Sequence, residues 1–255
     1  LATLKTVDDA NGNNALTITV TDTTAAAADL LALDAKTIVR IDASLVETAT
    51  GTAANLKLFR AAIDADTIQA YAGMDVVLTD TTASATAISD VASPGIPNPA
   101  SVSVASLTAV TGKASDVIAT YALSNISCLG NENITLTETS NTMNADQLSQ
   151  VVGLVNGTDG GVDASSVTTI NGSLAELVTI SETSANDLTT ASAFAAVVDE
   201  VQANASTSDL LKVIAAAIDT GGNGSVSLAN VAQITGAVGD ITSIISNTSV
   251  TLKSD

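Results

Sequence analysis

"TITVTDTT", residues 17–24, alternates apolar and polar side chains as a half-buried strand does, and it runs directly into "AAAADLLAL" at 25–33, which reads as a helix. The same join returns as "VVLTDTT" from Val76 and as "ITLTETS" from Ile134. Val20, Leu78 and Leu136 are equivalent and stand 58 residues apart each time, so a repeat rather than any single residue decides the fold. Such a pattern points away from an enzyme.

A second signature lies between the joins: "VETATGTAANL" at 46–56, "LTAVTGKASDV" at 107–117, "VTTINGSLAEL" at 167–177 and "VAQITGAVGDI" at 231–241. Its glycines, Gly51, Gly112, Gly172 and Gly236, suit the positive φ or the close backbone approach of a tight turn from strand to helix. Four places later stand Asn55, Asp116, Glu176 and Asp240, in what would be the first helical turn, where the macrodipole favours negative charge. Helical periodicity follows in Leu56, Phe59 and Ile63, in Phe194, Val197, Val198 and Val201, and in Leu210, Ile214 and Ile218.

These patterns predict an α/β fold: a repeat solenoid of strand–helix coils, with a double coil of about 58 residues and parallel strands stacked on one face. Residues 1–255 would form one repeat domain with approximate units 17–75, 76–133, 134–177 and 178–248, and the start of a further unit at 249–255. "VTISETS" from Val178 serves as a displaced copy of the join, and Leu252 as a copy two periods after Leu136. The three prolines in "SPGIPNPAS" at 93–101 mark a loop bulging from one coil.

Only 2 % of the chain is aromatic while 46 % is hydrophobic, so the core must be thin and built of small, similar residues. Stacked layers suit such a core. With 27 acidic and 8 basic residues the formal net charge is −19, which repels phosphate backbones and excludes nucleic acid as a partner. No apolar run approaches the roughly 18 residues of a membrane-spanning helix, so membrane insertion is not expected. Cys128 is the one cysteine and reads as a small core residue. A chain that opens on Leu1 fits a processed product or a piece of something longer.

Catalytic chemistry finds no foothold in the sequence. With no His, a Ser-His-Asp triad, a Cys-His pair and histidine metal sites are all excluded. Paired carboxylates could serve a glycosidase, but Trp, the usual sugar platform, is absent. "DTGGNGSVSL" from Asp219 approaches a calcium-binding β-roll repeat, yet Val226 stands where that motif requires Asp. No cofactor is therefore expected; calcium between Asp residues of adjacent coils is the one option left open.

"ISCLGNENITLTET" at 126–139, "VDASSVTTINGS" at 162–173 and "AADLLALDAKT" at 27–37 resemble the repeats of giant cell-surface proteins from marine bacteria, including marine cyanobacteria. The resemblance implies an extracellular, cell-surface protein with a structural or adhesive role, and it carries over no catalytic residue.

The expected function is thus non-enzymatic: a self-associating repeat block of an extracellular filament, sheath or giant adhesin. Its partners would be copies of itself or adjoining repeats of a longer chain, joined head to tail. The strands at 17–23 and 249–255, through Ile18, Val20, Val250 and Leu252, are the expected assembly interface. A second reading is ice or surface binding by threonine arrays, with Thr17, Thr19, Thr21 and Thr23 about 6.6–7 Å apart along a strand and Thr79, Thr81, Thr135, Thr137 and Thr139 extending them. A phage tail-fibre shaft is a third.

Overall fold

The computed structural model describes residues 15–93, 99–155, 160–199, 201 and 204–254. Eight helices lie among them: α1 (Ala27–Asp34), α2 (Ala53–Asp64), α3 (Ala85–Ala92), α4 (Ala114–Tyr121), α5 (Ala145–Leu154), α6 (Leu174–Glu182), α7 (Thr207–Ala217) and α8 (Val238–Ile245). Short strands fill the links, alternately two and three to a link. Ile41–Ala43 and Thr48–Gly51 join α1 to α2, whereas Ile68–Ala70, Asp75–Leu78 and Thr82–Ser84 join α2 to α3. Two strands then lead to α4 (Val102–Ser103, Ala109–Gly112) and three to α5 (Ile126–Ser127, Asn133–Leu136, Thr142–Asn144). Val162–Ala164 and Thr169–Gly172 lead to α6, and Leu188–Thr190, Ala195–Val198 and Ala205–Ser206 to α7. Ser225–Leu228 and Ile234–Thr235 lead to α8, while Thr24–Ala26 precedes α1 and Val250–Leu252 follows α8.

This alternation is the physical content of the 58-residue period: one repeat is two helices and five strands. A strand that feeds a helix is an entry strand, one that leaves a helix an exit strand, and the extra strand of each three-strand link a bridging strand. The bridging strands are Asp75–Leu78, Asn133–Leu136 and Ala195–Val198.

The chain forms two compact parts, the first ending at Val110 and including Ala119–Leu129, the second comprising Thr111–Ile118 and the chain from Gly130 onward. In the first, one parallel sheet runs in the order Thr24–Ala26, Thr48–Gly51, Asp75–Leu78, Val102–Ser103, Ile126–Ser127: two entry strands, the bridging strand, two exit strands. Register aligns Ala25, Ala49, Val76, Val102 and Ile126 in one apolar column. The second part repeats the order with Thr142–Asn144, Thr169–Gly172, Ala195–Val198, Ser225–Leu228 and Val250–Leu252, and its column is Met143, Ile170, Ala196, Val226 and Val250. In it, bridging strand Asn133–Leu136 also pairs with exit strand Val162–Ala164, which pairs in turn with exit strand Leu188–Thr190.

Parallel neighbours cannot be joined by a tight turn, so each needs a crossover, and the helices supply it. Apart from Met143, the column residues are small or β-branched, as suits strands stacked in parallel with helices crossing behind them. Five of the helices are opened by a side-chain cap: Thr52, Ser84, Asn144, Ser173 and Ser206 each accept a backbone N–H from two or three residues on.

The α/β assignment and the alternation of strands and helices stand; the single stack of strands does not. Strands are shared among several sheets because every second link carries a bridging strand, beyond which a row of entry strands gives way to a row of exit strands. Three alignments of the repeat change with it. "VTISETS" from Val178 lies within α6, where Leu174, Leu177 and Ile180 form the buried face, so a unit boundary at 177/178 would cut a helix. The true bridging copy is Ala195–Val198, with buried Val198 in the place of Leu78 and Leu136. Leu252 ends an exit strand and is no counterpart of Leu136.

Phe194, Val197, Val198 and Val201 are not a helical face. Phe194, Ala196 and Val198 are buried with the period of a strand, and Val201 is 83 % exposed. In α7 the buried face is Leu210, Val213 and Ala217, with Ile214 and Ile218 at its margin. Leu56, Phe59 and Ile63 of α2 are buried together. Cys128 is exposed, with φ of 70°, on the turn after exit strand Ile126–Ser127 and not in the core. Pro94 and Pro97 lie outside the described residues, and Pro99 is buried.

Candidate functional site

The residues that recur in the joins and in the glycine signature meet across successive strand–helix units. Asp80 of "VVLTDTT" accepts the backbone N–H of Ala53, the first residue of α2, through Oδ2 at 2.7 Å. Glu138 of "ITLTETS" does the same for Ala114, the first residue of α4, through Oε1 at 2.7 Å. Beside each bond the main chain continues the ladder: Thr79 N–H donates to the Gly51 carbonyl and Thr137 N–H to the Gly112 carbonyl, both at 2.9 Å. The carboxylate thus satisfies an orphan donor at a helix N-terminus and sits at the positive end of its dipole. In the third copy Asp199 keeps the main-chain bond to the Gly172 carbonyl, while its carboxylate accepts from the Asn171 amide.

The signature glycines serve close approach rather than a left-handed turn. None of Gly51, Gly172 and Gly236 has a positive φ; among the described residues the left-handed glycines are Gly73, Gly130, Gly222 and Gly224. A Cβ on Gly51 would touch Ala27 Cβ at 3.4 Å, one on Gly172 would meet Ala145 Cβ at 3.0 Å, and one on Gly236 would run into the Thr207 side chain. Ala27, Ala145 and Thr207 are the first residues of α1, α5 and α7, so each glycine makes room for the start of the helix before its own. Gly112 ends strand Ala109–Gly112 at the corresponding place. Asn55, Glu176 and Asp240 occupy the first turns of α2, α6 and α8, and Glu176 completes a capping box with Ser173. Asp116 lies in the first turn of α4.

Two aspartates in the middle of exit strands, Asp42 and Asp163, hold the turns that follow them. Asp42 accepts from both the hydroxyl and the N–H of Ser44, which hold its carboxyl below the usual range. The Ser165 hydroxyl and N–H act likewise on Asp163. Asp219 is lowered by the Asn223 side chain first and then by the N–H groups of Asn223, Gly221 and Gly222. The Asp219 oxygens are thereby occupied by donors of its own loop. Among the described residues no three side chains of metal-ligating type gather, and no described helix is long and apolar enough to cross a membrane.

The threonines do not share one strand face. Thr17, Thr19, Thr21 and Thr23 are exposed but precede entry strand Thr24–Ala26, with Thr19 alone in a parallel bridge, to Asp42. Thr79 and Thr137 stand just past the ends of their bridging strands; Thr135 lies within one, half-buried, and pairs with Asp163 and not with another threonine.

Of the four residues expected at an assembly interface, Val20 is buried and Ile18 half-buried against the exit strand Ile41–Ala43: Val20 N–H donates to the Asp42 carbonyl at 2.8 Å and Asp42 N–H to the Ile18 carbonyl at 2.9 Å. Val250 is half-buried and Leu252 is 39 % exposed, but their strand is the fifth of a five-stranded sheet. Of the strands that lack a neighbour found elsewhere in the repeat, one includes Ile18 and Val20 and the other lies at Ile234–Thr235 in place of Val250–Leu252. Entry strands Ala205–Ser206 and Ile234–Thr235 form a two-stranded sheet with, among the described residues, no bridging strand beside it. Exit strands Ile41–Ala43 and Ile68–Ala70 form another, on which residues 18–20 stand in the bridging position. Sequence reading missed the Ile234–Thr235 edge, although the fourth glycine signature already marks Ile234 as the equivalent of Ala49 and Ile170. Comparison with protein-family models, with curated proteins and with solved structures gives no match.

Proposed function

We propose that the chain is a block of a repeat solenoid with a structural task, a self-associating segment of an extracellular filament, sheath or adhesin at the cell surface. The observation that carries this reading is the carboxylate link between successive units, Asp80 to Ala53 and Glu138 to Ala114. Its residues are spent on joining one unit to the next by contacts that any further unit could repeat. Stability in such a chain is a sum of unit and nearest-neighbour terms, and growth has no natural end. A surface with net charge −19 remains soluble in a salty medium, where a Debye length of about 8 Å or less keeps like-charged neighbours from repelling at range.

The test is the state of association. Sedimentation across a wide concentration range, with electron microscopy of the same samples, is expected to give elongated, concentration-dependent assemblies. A monodisperse monomer at high concentration with no fibres would count against self-association.

A further inference from the structure

We propose that residues 17–22 of one copy dock on the turn 232–238 of a second copy, completing a five-stranded sheet across the two; this rests on the self-associating role above and names its contact. The two short sheets are complementary halves of a pattern that appears whole within each compact part. Each complete sheet reads entry, entry, bridging, exit, exit. Ala205–Ser206 and Ile234–Thr235 supply the first two places, and residues 18–20 with Ile41–Ala43 and Ile68–Ala70 supply the last three.

Register and chemistry agree with the fit. Ile18 is the counterpart of Val76 and Ala196, and Ile234 that of Ala49 and Ile170; those four are buried, whereas Ile18 and Ile234 are only half so. Joined, the column would read Ala205, Ile234, Ile18, Ile41, Ile68, apolar throughout. The turn at 236–241 is also barer than its equivalents. Val238 is 81 % exposed where Leu174 is buried, Ile241 is half-buried where Leu56 and Leu177 are buried, and N-cap Ala237 offers α8 no side-chain oxygen. Residues 21 and 22 carry what is missing. By equivalence with Thr79 and Asp80, Thr21 N–H would donate to the Gly236 carbonyl and the Asp22 carboxylate would accept from the Val238 N–H. Both halves are on every copy, so the contact is head to tail and propagates.

The test uses the whole chain and two blocking variants. Ile18→Lys disables one half and Ile234→Lys the other, each by forcing an unpaired charge into the apolar column; either is expected to lower the association constant on the order of 100-fold or more. Thr21→Pro, which removes one main-chain donor at an exposed residue, repeats the first block without touching the apolar column. Circular dichroism checks that helix content is unchanged. Because each variant keeps the half that the other lacks, an equimolar mixture of Ile234→Lys with Ile18→Lys or Thr21→Pro is expected to give dimers and nothing larger. Wild-type assemblies with all three variants assembling as well as wild type, or a mixture that stays monomeric, would overturn this contact while leaving self-association standing. A wild-type chain that stays monomeric would overturn both, its edges then being left to adjoining repeats of a longer chain.

Discussion

The N–H of Ala53 is bound by the carboxylate of Asp80, 27 residues further along the chain, so the first turn of one helix is finished only when the next bridging strand is in place. That bond couples the folding of neighbouring units. Asp80→Ala is expected to cost about 1 kcal/mol, the usual worth of an N-terminal cap. Asp80→Glu should cost little, because Glu138 performs the same task for Ala114. Denaturant unfolding of the two variants decides; equal losses would show that the carboxylate does not act as a cap.

Glycines of the signature should respond unequally to a single methyl. Gly51→Ala places its Cβ in ordinary contact with Ala27 and is expected to cost less than about 1 kcal/mol. Gly172→Ala crowds Ala145 and displaces the Glu176 carboxylate from its capping box, with an expected loss of about 1–3 kcal/mol. Thermal unfolding of the pair measures the difference, and a Gly51 variant as damaged as the Gly172 one would refute the close-approach account.

Acid should weaken the molecule through Asp42, Asp163 and Asp219. Hydrogen bonds hold each carboxyl below its ordinary value in the folded chain, so the unfolded chain takes up protons first. Their contribution is fully present above the unfolded value of about 3.9 and is lost as the pH falls through the lower folded values. Melting temperatures from pH 7 to pH 2 should show it: the gap between wild type and Asp219→Asn stays constant down to about pH 4 and narrows below. A gap that widens on acidification would reverse the assigned sign.

Removing residues 75–132, one period from bridging strand to bridging strand, should leave a folded and cooperative chain of lower stability. Met74 would then lead into Asn133, the first residue of the next bridging strand. Far-ultraviolet circular dichroism with proteolysis reads the result, and complete loss of helix would mean that the repeat is not the unit of stability.

The period, the helix starts and the buried face of α2 were legible in the sequence because small residues and caps recur at fixed spacing. Two bridging strands, Asp75–Leu78 and Asn133–Leu136, were legible in the joins, and the third was not. Ala195–Val198 is an apolar run whose Phe194 and Val201 flanks imitate a helical face, and only its pairing with Thr169–Gly172 and Ser225–Leu228 makes it a strand. "VTISETS" misled in the opposite sense, since its threonines match a strand join while Leu177 and Ile180 commit it to α6. Cys128 reads as core because a lone cysteine is a small apolar residue, yet it stands exposed on a turn with positive φ. The exposed edge at Ile234 is a property of sheet completion, visible only once the order of strands is known.

Alternation of two-strand and three-strand links imposes a rule of phase on how such a chain can lengthen. Duplicating one helix with the link behind it would follow a two-strand link with another, or a three-strand link with another, and the next entry strand would arrive where a bridging strand belongs. Its backbone could still pair, but the carboxylate that follows Leu78 and Leu136 would be missing from the helix it should cap. Only whole pairs of helices restore the order, so recombination within the gene conserves the sheet when it copies steps of 58 residues or their multiples, and leaves a dislocation when it copies half.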